Sequence, residues 1–529
     1  MKNMKKAIIV LASVSLMMTG CGQGEANKET NVDSTTVAAE NEASIEGVKI
    51  ELSDEAILVD GEAISTESEE AVYMAKDIVY YEEGKDFTYG EGTEEDEHSP
   101  EEAAAHTVVH ITQPGTYELT GSMSAGQVAV DLGEDAEGDP EAVVTLILNN
   151  VDINCSVAPA VIFYNVYECG EADEETATKD VDTSAAGANV IIADDSENNI
   201  FGSYVARIYK SVELNEEGTE VVDSKKLHKY DAAFYSKMSM NVNGGETGTG
   251  VLNITAENEG LDSELHLTLN GGNVNIVSGN DGINTNEDYV SVTTINAGTL
   301  DIKVNGSTGE GDGIDSNGWL VINGGTVIAE ACSFSGDAGI DSDMGIYING
   351  GSVVAAGNML DRISECEQNY VVLNFAGTQK AGQNYTLKDA DGKVVAECTP
   401  ENDFMYLIFS NKNLKEGTYT LWMGETQLAA GVGKGMMGGS RGAMMEEGKR
   451  PENGQIPGME LPEGETMPEG MIPPEGMEMP EDGEMPQGGF GGRIPGGQMP
   501  GGSVAAGEVS TEFNITIGGN YFTGVAKAN

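Results

Sequence analysis

The chain has little positive charge. Its 529 residues include 27 Lys and Arg against 89 Asp and Glu, for a formal net charge of -62. Nucleic-acid binding requires a basic patch, so we exclude that class of partner, and anionic membrane surfaces are disfavoured. So much like charge repels itself unless it is spread out or neutralised by cations.

Cysteine is also scarce. Of six cysteines, Cys21 lies in the N-terminal segment, and five remain in the rest of the chain: Cys155, Cys169, Cys332, Cys366 and Cys398. An odd number excludes a complete disulfide framework, and without a Cys-x-x-Cys pair a zinc site has no support. We therefore expect the five to be buried thiols.

The middle of the chain lacks helical stretches of useful length and is repetitive instead. An Asn-x-Gly unit begins at Asn243, Asn270, Asn296, Asn323 and Asn349, at steps of 26 or 27 residues. Apolar residues alternate with polar ones on both sides of each unit, which is typical of strands with one buried face. A fixed period of this size predicts an all-β solenoid whose stacked repeats share one core.

The N-terminus has the pattern of an export signal. Lys2, Lys5 and Lys6 precede an apolar run from Ala7 to Met18, which is too short for a membrane span. The run ends in Met18-Thr-Gly-Cys21, which resembles a bacterial lipobox. We predict a lipid-anchored lipoprotein on the outside of the cell, with lipidation at Cys21; a simple secretory signal with an incidental cysteine is the alternative.

Composition divides the chain into seven segments. Residues 434–508 are dominated by Gly, Met, Pro and Glu, which cannot form a core, so we expect disorder; copper binding by the methionines is a minor alternative. The predicted boundaries are a signal peptide at 1–20, a tether at 21–44, an N-terminal acidic region at 45–106, a repeat domain at 107–358, a C-terminal β cap at 359–433, the disordered insertion at 434–508 and final strands of the cap at 509–529.

A second motif, acidic-Gly-aliphatic-Asp/Asn, follows the same repeat. Stacked repeats would align its residues in two columns about 4.8 Å apart along the stack, where like charges cost roughly 3 kcal/mol per pair. Calcium takes oxygens from carboxylates and amides and would relieve this repulsion. The alternative is a ladder of side chains that bond corner backbone groups. The predicted metal ligands are Glu259, Asp281, Asp312 and Asp337 in a first acidic column, Asp262, Asn284, Asp315 and Asp341 in a second, and Asp343 beside them.

These motifs together resemble a known family. The stretch from Ile111 to Gly121, the stretch from Val143 to Ile153 and the repeated units above are similar to the clostridial carbohydrate-binding parallel β-helix family. Its members bind cellulose and acidic sugars such as polygalacturonate. The resemblance covers roughly 107–432 and the final strands, and it implies a right-handed parallel β-helix with bound calcium.

Three functions are compatible with these features. The first is non-catalytic binding of an acidic or cellulosic polysaccharide by a monomer, through calcium or through outward side chains at His266, Trp319 and Tyr347. The second is a calcium-dependent polysaccharide lyase, which needs a basic residue beside the metal; the regular repeats offer only Lys303. The third is a structural surface protein or adhesin. Trp319 and Tyr347 could equally be exposed aromatics without a ligand.

Overall fold

The computed structural model describes residues 47–364, 366–433 and 509–528. The predicted signal peptide, Cys21, the tether and the insertion at 434–508 lie outside the described residues. Within the described part, no helix is both long enough and apolar enough to cross a membrane.

Strands make up nearly half of the described residues. The N-terminal ones are β1 (Val48–Leu52), β2 (Leu58–Val59), β3 (Glu62–Ala63), β4 (Val72–Ala75) and β5 (Gly90–Glu91), followed by helix α1 (Pro100–Ala105). Next come β6 (Thr107–Ile111), β7 (Gly115–Met123), β8 (Gly126–Val130), a 3-10 turn (Glu134–Gly138), β9 (Val144–Cys155), β10 (Val161–Phe163), β11 (Ala188–Ile192), β12 (Glu197–Gly202), β13 (Val205–Leu214), β14 (Val221–Tyr230) and β15 (Ala232–Ser236).

The regular repeats supply short strands of three to six residues, as their period predicts. They are β16 (Met240–Gly244), β17 (Val251–Ala256), β18 (Glu259–Ser263), β19 (His266–Leu269), β20 (Asn273–Ser278), β21 (Ile283–Thr285), β22 (Val292–Ile295), β23 (Thr299–Val304), β24 (Trp319–Ile322), β25 (Thr326–Glu330), β26 (Gly345–Ile348) and β27 (Ser352–Gly357). The C-terminal strands are β28 (Tyr370–Gln379), β29 (Tyr385–Asp389), β30 (Val394–Cys398), β31 (Phe404–Asn411), β32 (Gly417–Met423), β33 (Thr426–Val432), β34 (Phe513–Ile515) and β35 (Gly519–Lys527).

The all-β prediction is confirmed, but the predicted right-handed parallel β-helix is wrong. The described strands form a mixed sheet of 25 strands, a sheet of seven and a sheet of three, and none of these is closed or forms a solenoid sheet. The two larger sheets contribute side chains to one common core, which makes the arrangement sandwich-like. The period predicts that strands stack, but it does not determine how the chain passes between sheets, and that is where the prediction failed.

The repeats themselves pair in register. Strands β16, β19, β22, β24 and β26 form a parallel series, so that equivalent residues of successive repeats lie side by side. The Asn side chains form a continuous row, in which each Nδ2 donates to the Oδ1 of the preceding repeat over 2.9–3.0 Å from Asn270 to Asn349. The Asn-x-Gly unit therefore serves the stacking of the strands.

The second motif is also in register. Leu261 of β18 pairs with Ile283 of β21, and single parallel bridges continue this series to Ile314 and Ile340. All four side chains are buried in the common core. The polar residues that flank them are thereby aligned from one repeat to the next.

The C-terminal strands end the parallel series. β31 pairs antiparallel with β27 and with β28, and β35 returns after the insertion to lie beside β28 and β33. Most of these strands share a second core around Phe404, Phe409 and Phe513. This region covers the last repeat.

We predict that Gly313→Ala destabilises the fold. A Cβ at Gly313 would lie 2.3 Å from the carbonyl oxygen of Gly339 and 3.0 Å from the Cβ of Ala329, so the next repeat would have to move. The free energy of unfolding should fall by about 2 kcal/mol or more in urea titrations. Gly336→Ala is the control, because no atom lies within 4 Å of its Cβ position. Equal stability of the two variants would contradict the tight stacking of the motif.

Candidate functional site

The two acidic columns lie where the second motif is stacked. Asp262 pairs with Asn284 across β18 and β21, and Asp315 and Asp341 directly follow the bridged Ile314 and Ile340. Most members are deeply buried: Glu259, Asp262, Asp281, Asn284, Asp312 and Asp337 are each 9% exposed or less. Carboxylates are rarely buried without compensation, so this alignment requires a physical explanation.

Backbone groups account for part of the first column. Asp281 accepts a hydrogen bond from the N–H of Asp312 over 2.6 Å, and Asp312 accepts one from the N–H of Ala338. Asp337 accepts the N–H of Gly311 over 2.8 Å. Each carboxylate therefore accepts a hydrogen bond from the backbone of a neighbouring repeat. This is the alternative to metal binding that the sequence predicts.

The columns also contain a set of oxygens suited to a cation. One carboxylate oxygen from each of Asp312, Asp315 and Asp341 lies within 4.8 Å of the others. Asp312 is buried, whereas Asp315 and Asp341 are only partly so, which leaves one side of this group facing outward. We call these three residues the acidic cluster. Oxygen-only ligand sets of this kind suit hard cations such as Ca²⁺.

Two buried oxygens further along the columns lack hydrogen-bond partners. They are Oε2 of Glu259 and Oδ1 of Asn284, although Nδ2 of Asn284 donates to the other Glu259 oxygen over 3.2 Å. Asp262, by contrast, accepts both its bonds from Nδ2 of Asn286 over 3.0 Å. A buried oxygen without a donor is costly, and a cation is one way to satisfy it.

Lysine compensates only one end of the columns. Lys229, at the end of the β13–β14 hairpin, lies 2.8 Å from Asp231. Burial alone would lower the pKa of Lys229, but the carboxylates of Asp231 and Glu259 raise it above its ordinary value. The sequence did not reveal this residue as part of the site, because the hairpin interrupts the repeats and carries no periodic signal.

The pKa values of Glu259, Asp262, Asp281 and Asp312 are raised, in each case mainly by burial. Burial, followed by the charge of Asp231, raises the pKa of Glu259 to about 8. Burial also raises the pKa of Asp312, followed by the charges of the neighbouring carboxylates of Asp341, Asp281, Asp315 and Asp337. Lys229 lowers the pKa of Glu259 and Asp262 but is no cause of the shift at Asp312. Lys229 therefore offsets charge at Glu259 and Asp262, whereas the pKa of Asp312 in the acidic cluster is raised by burial and by neighbouring carboxylates.

Asp343, the last of the predicted ligands, lies outside the acidic cluster. It is exposed, and its backbone N–H bonds the carbonyl of Ser316 over 3.1 Å. The structure thus brings three of the nine predicted ligands together in one group and distributes the others along the columns.

The predicted sugar-contacting side chains lie on one series of strands but do not form a flat platform. Trp319 pairs with Gly345, and Tyr347 with Val321, so the two aromatic residues are offset by two positions. His266 is only 3% exposed, and its Nδ1 accepts the N–H of Val292 over 3.2 Å. It is therefore unavailable as an outward contact.

An insertion covers this face. A Cβ at Gly170 would lie 2.8 Å from the His266 ring, and residues of the 169–182 segment line a pocket of about 210 Å³ together with His266 and Val290. Further along, Nζ of Lys179 lies 5.3 Å from the centre of the Tyr347 ring. This segment is rich in acidic residues, but its sequence does not indicate where it packs.

Comparison with known proteins identifies the class. The family profile of carbohydrate-binding domain-containing proteins matches residues 105–394, and the chain therefore belongs to this family. No curated protein matches the chain. Among solved structures it is similar to the polysaccharide lyase-like protein from C. thermocellum, determined as a gadolinium derivative, with 18% identity over 58% of this chain and 92% of that chain and a TM-score of 0.31.

We predict that His266 makes the fold sensitive to acid. Burial lowers the pKa of His266 to about 4 from 6.5, so between these values the unfolded chain binds a proton that the folded chain does not. Stability is therefore lost as the pH falls through this window. Relative to pH 7.5, wild type at pH 5 should lose about 2 kcal/mol more than His266→Gln, whose side-chain oxygen can still accept a hydrogen bond.

The measurement is urea unfolding of both proteins at each pH in the presence of a chelator. The buried carboxylates titrate in both proteins and cancel in the comparison. The same pH dependence in wild type and variant would show that His266 is accessible to protons in the folded state.

Proposed function

We propose that the protein is a non-catalytic, calcium-dependent binding protein for acidic polysaccharide such as polygalacturonate, and that the acidic cluster is its ion site. Membership of the carbohydrate-binding family supports the general function. The observation that carries the finer proposal is the convergence of Asp312, Asp315 and Asp341 within 4.8 Å. Attachment to the outside of a bacterial cell rests on the sequence pattern at Cys21.

The residues present fit calcium. Asp312 supplies an oxygen from the buried side, and Asp315 and Asp341 supply oxygens from partly exposed positions. Calcium takes six to eight oxygens, so three carboxylates leave positions for water or for the carboxylate of a uronic acid. Oε2 of Glu259 and Oδ1 of Asn284, which have no hydrogen-bond donor, are further oxygens along the columns that a cation would satisfy. A bound cation would offset the repulsion within the acidic cluster and attract an anionic sugar that the protein's net charge otherwise repels.

We predict that Asp315→Asn/Asp341→Asn separates calcium binding from folding. With a chelator present, this double variant should be at least as stable as wild type, because it removes repelling charges. At calcium one hundred times its dissociation constant, wild type should gain about 2.7 kcal/mol and the double variant should not. Thermal unfolding with and without calcium measures both effects.

Asp391→Asn is the matched control, since Asp391 is an exposed acid in the turn between β29 and β30. It should respond to calcium as wild type does. If the double variant gains as much stability from calcium as wild type, the ion binds elsewhere and the proposed site is wrong.

We predict that polygalacturonate binding requires the same residues. Calorimetry with wild type should detect binding in calcium and at least a tenfold loss of affinity, about 1.4 kcal/mol, in chelator. The double variant should bind weakly under both conditions, and Asp391→Asn should bind as wild type does. Polygalacturonate binding that is unaffected by chelator and by the double substitution would refute the calcium bridge.

Catalysis is less well supported than binding. A lyase needs a neutral base beside the metal to remove a proton next to the sugar carboxylate. Lys229 is the basic residue beside the columns, but its pKa is raised by Asp231 and Glu259, which keeps it protonated. Release of unsaturated uronides from polygalacturonate would reverse this assignment.

A further inference from the structure

One face of the repeats is covered by a loop that is anchored at both of its ends. Residues 171–182 follow Glu168, whose carboxylate accepts the N–H of Ser239 over 2.6 Å. They precede Thr183, whose hydroxyl donates to the Asn241 side chain and whose carbonyl accepts from it, each over 2.7 Å. Ser239 and Asn241 are only two positions apart, so the ends of the loop lie close together, as in an Ω-loop. We call residues 171–182 the strap.

Between these ends the strap contacts the strands beneath it only weakly. Among the described residues, the hydrogen bonds of the strap stay within residues 173–184. Val181 lines the pocket of about 210 Å³ beside His266, and Nζ of Lys179 lies 5.3 Å from the centre of the Tyr347 ring. A segment with few buried contacts belongs to the part of a structure that opens at the lowest cost in free energy.

The side chains beneath the strap are neutral. His266 and Thr268 alternate along β19 with the core residues Leu267 and Leu269, so they point away from the core. They are nevertheless only 3% and 6% exposed. The hydroxyl of Thr183 donates to that of Thr268 over 2.8 Å, and burial lowers the pKa of His266 to about 4, which keeps its ring uncharged at neutral pH. Displacement of the strap would therefore expose a neutral face.

Like charges oppose the closed position of the strap. Burial, followed by the charges of Asp288 and Glu174, raises the pKa of Glu287, so the strap approaches carboxylates between β21 and β22. The contact of Lys179 with the Tyr347 ring acts in the opposite direction. The closed position therefore depends on a balance between repulsion and a weak attraction. The acidic residues of the strap, against Lys179 as its one basic residue, are Glu171, Asp173, Glu174, Glu175, Asp180 and Asp182.

Cys169 lies just before the strap and can report its position. The side chain is half-buried and lines the same pocket as His266. Burial, followed by the charge of Glu168, raises the pKa of the Cys169 thiol to about 11. Because the thiolate is the reactive form, alkylation of Cys169 is slow while the strap is closed.

We propose that the strap is a displaceable cover that opens around its two anchored ends while the repeats remain folded. The balance between the like charges and the Lys179–Tyr347 contact sets the fraction of molecules in which the strap is open. In the closed position the strap keeps His266 and Thr268 from solvent, and in the open position this neutral face becomes accessible to other molecules. The proposal involves neither the acidic cluster nor a bound ion, so its test is independent of the function proposed above.

The test measures alkylation of Cys169 by N-ethylmaleimide in the full chain, with mass spectrometry of peptides to give the rate at each cysteine. Lys179→Ala removes the contact with Tyr347 and should raise the rate at Cys169 about threefold. Glu174→Gln removes a repelling charge and should lower the rate about twofold. Replacement of residues 171–182 by two glycines removes the cover and should raise the rate about tenfold or more.

Matched controls separate movement of the strap from other effects. Lys85→Ala removes a comparable contact elsewhere, in which Nζ lies 5.7 Å from the centre of the Tyr89 ring, and Glu213→Gln removes an exposed carboxylate from the β13–β14 hairpin. Both variants should label Cys169 at the wild-type rate. Cys155 and Cys332 are fully buried, so they should stay unlabelled as long as the repeats remain folded.

Three results would overturn the proposal. Unchanged labelling of Cys169 in Lys179→Ala and Glu174→Gln would show that the strap is either fixed or permanently open. A folded excision variant that labels no faster than wild type would show that the strap does not cover the thiol. Labelling of Cys155 and Cys332 in wild type at the rate of Cys169 would show that exposure comes from global unfolding. If the excision variant unfolds, the two point variants decide the question.

Discussion

Parallel stacking forces equivalent side chains to lie about one strand spacing apart, and the rest of the site depends on this constraint. Where the equivalent residues are asparagines, the spacing is favourable, because each amide donates to its neighbour, as from Asn270 to Asn243. Where they are carboxylates, the same spacing produces repulsion that burial increases. Asp312 illustrates this, since its pKa is raised by burial and then by surrounding acids.

The molecule compensates this repulsion in different ways along the columns. Backbone N–H groups bind Asp281 and Asp312, and Lys229 reduces the charge near Glu259. The causes of the raised pKa of Asp312, the buried member of the acidic cluster, are burial and neighbouring carboxylates. A diffusible cation differs from Lys229 in that it can be removed and can share its coordination positions with a ligand. That difference makes the acidic cluster suited to recognition and Lys229 suited to structure.

Sequence reasoning succeeded where the chain is periodic. The intervals between Asn243 and Asn349 predicted the stacking of strands, and the aligned acidic motifs predicted which carboxylates come near one another. It failed for the sheet architecture, because a 26-residue or 27-residue period constrains the neighbours of a strand but not the closure of the sheets. It also failed for His266, whose alternating pattern indicates an outward position but cannot show that the 169–182 segment covers it. The place of Lys229 beside Asp231 and Glu259 depends on how the β13–β14 hairpin packs against the repeats, which no local pattern encodes.

The antiparallel strand β31 has a consequence for self-association. The last repeat strand, β27, would otherwise present unpaired backbone groups in the same orientation as the repeat strands β17, β20, β23 and β25 before it. A second molecule could then add its own strands in continuous register, and the protein would polymerise end to end. Because β31 runs in the opposite direction, it ends that template, and the length of the assembly is set by the chain itself.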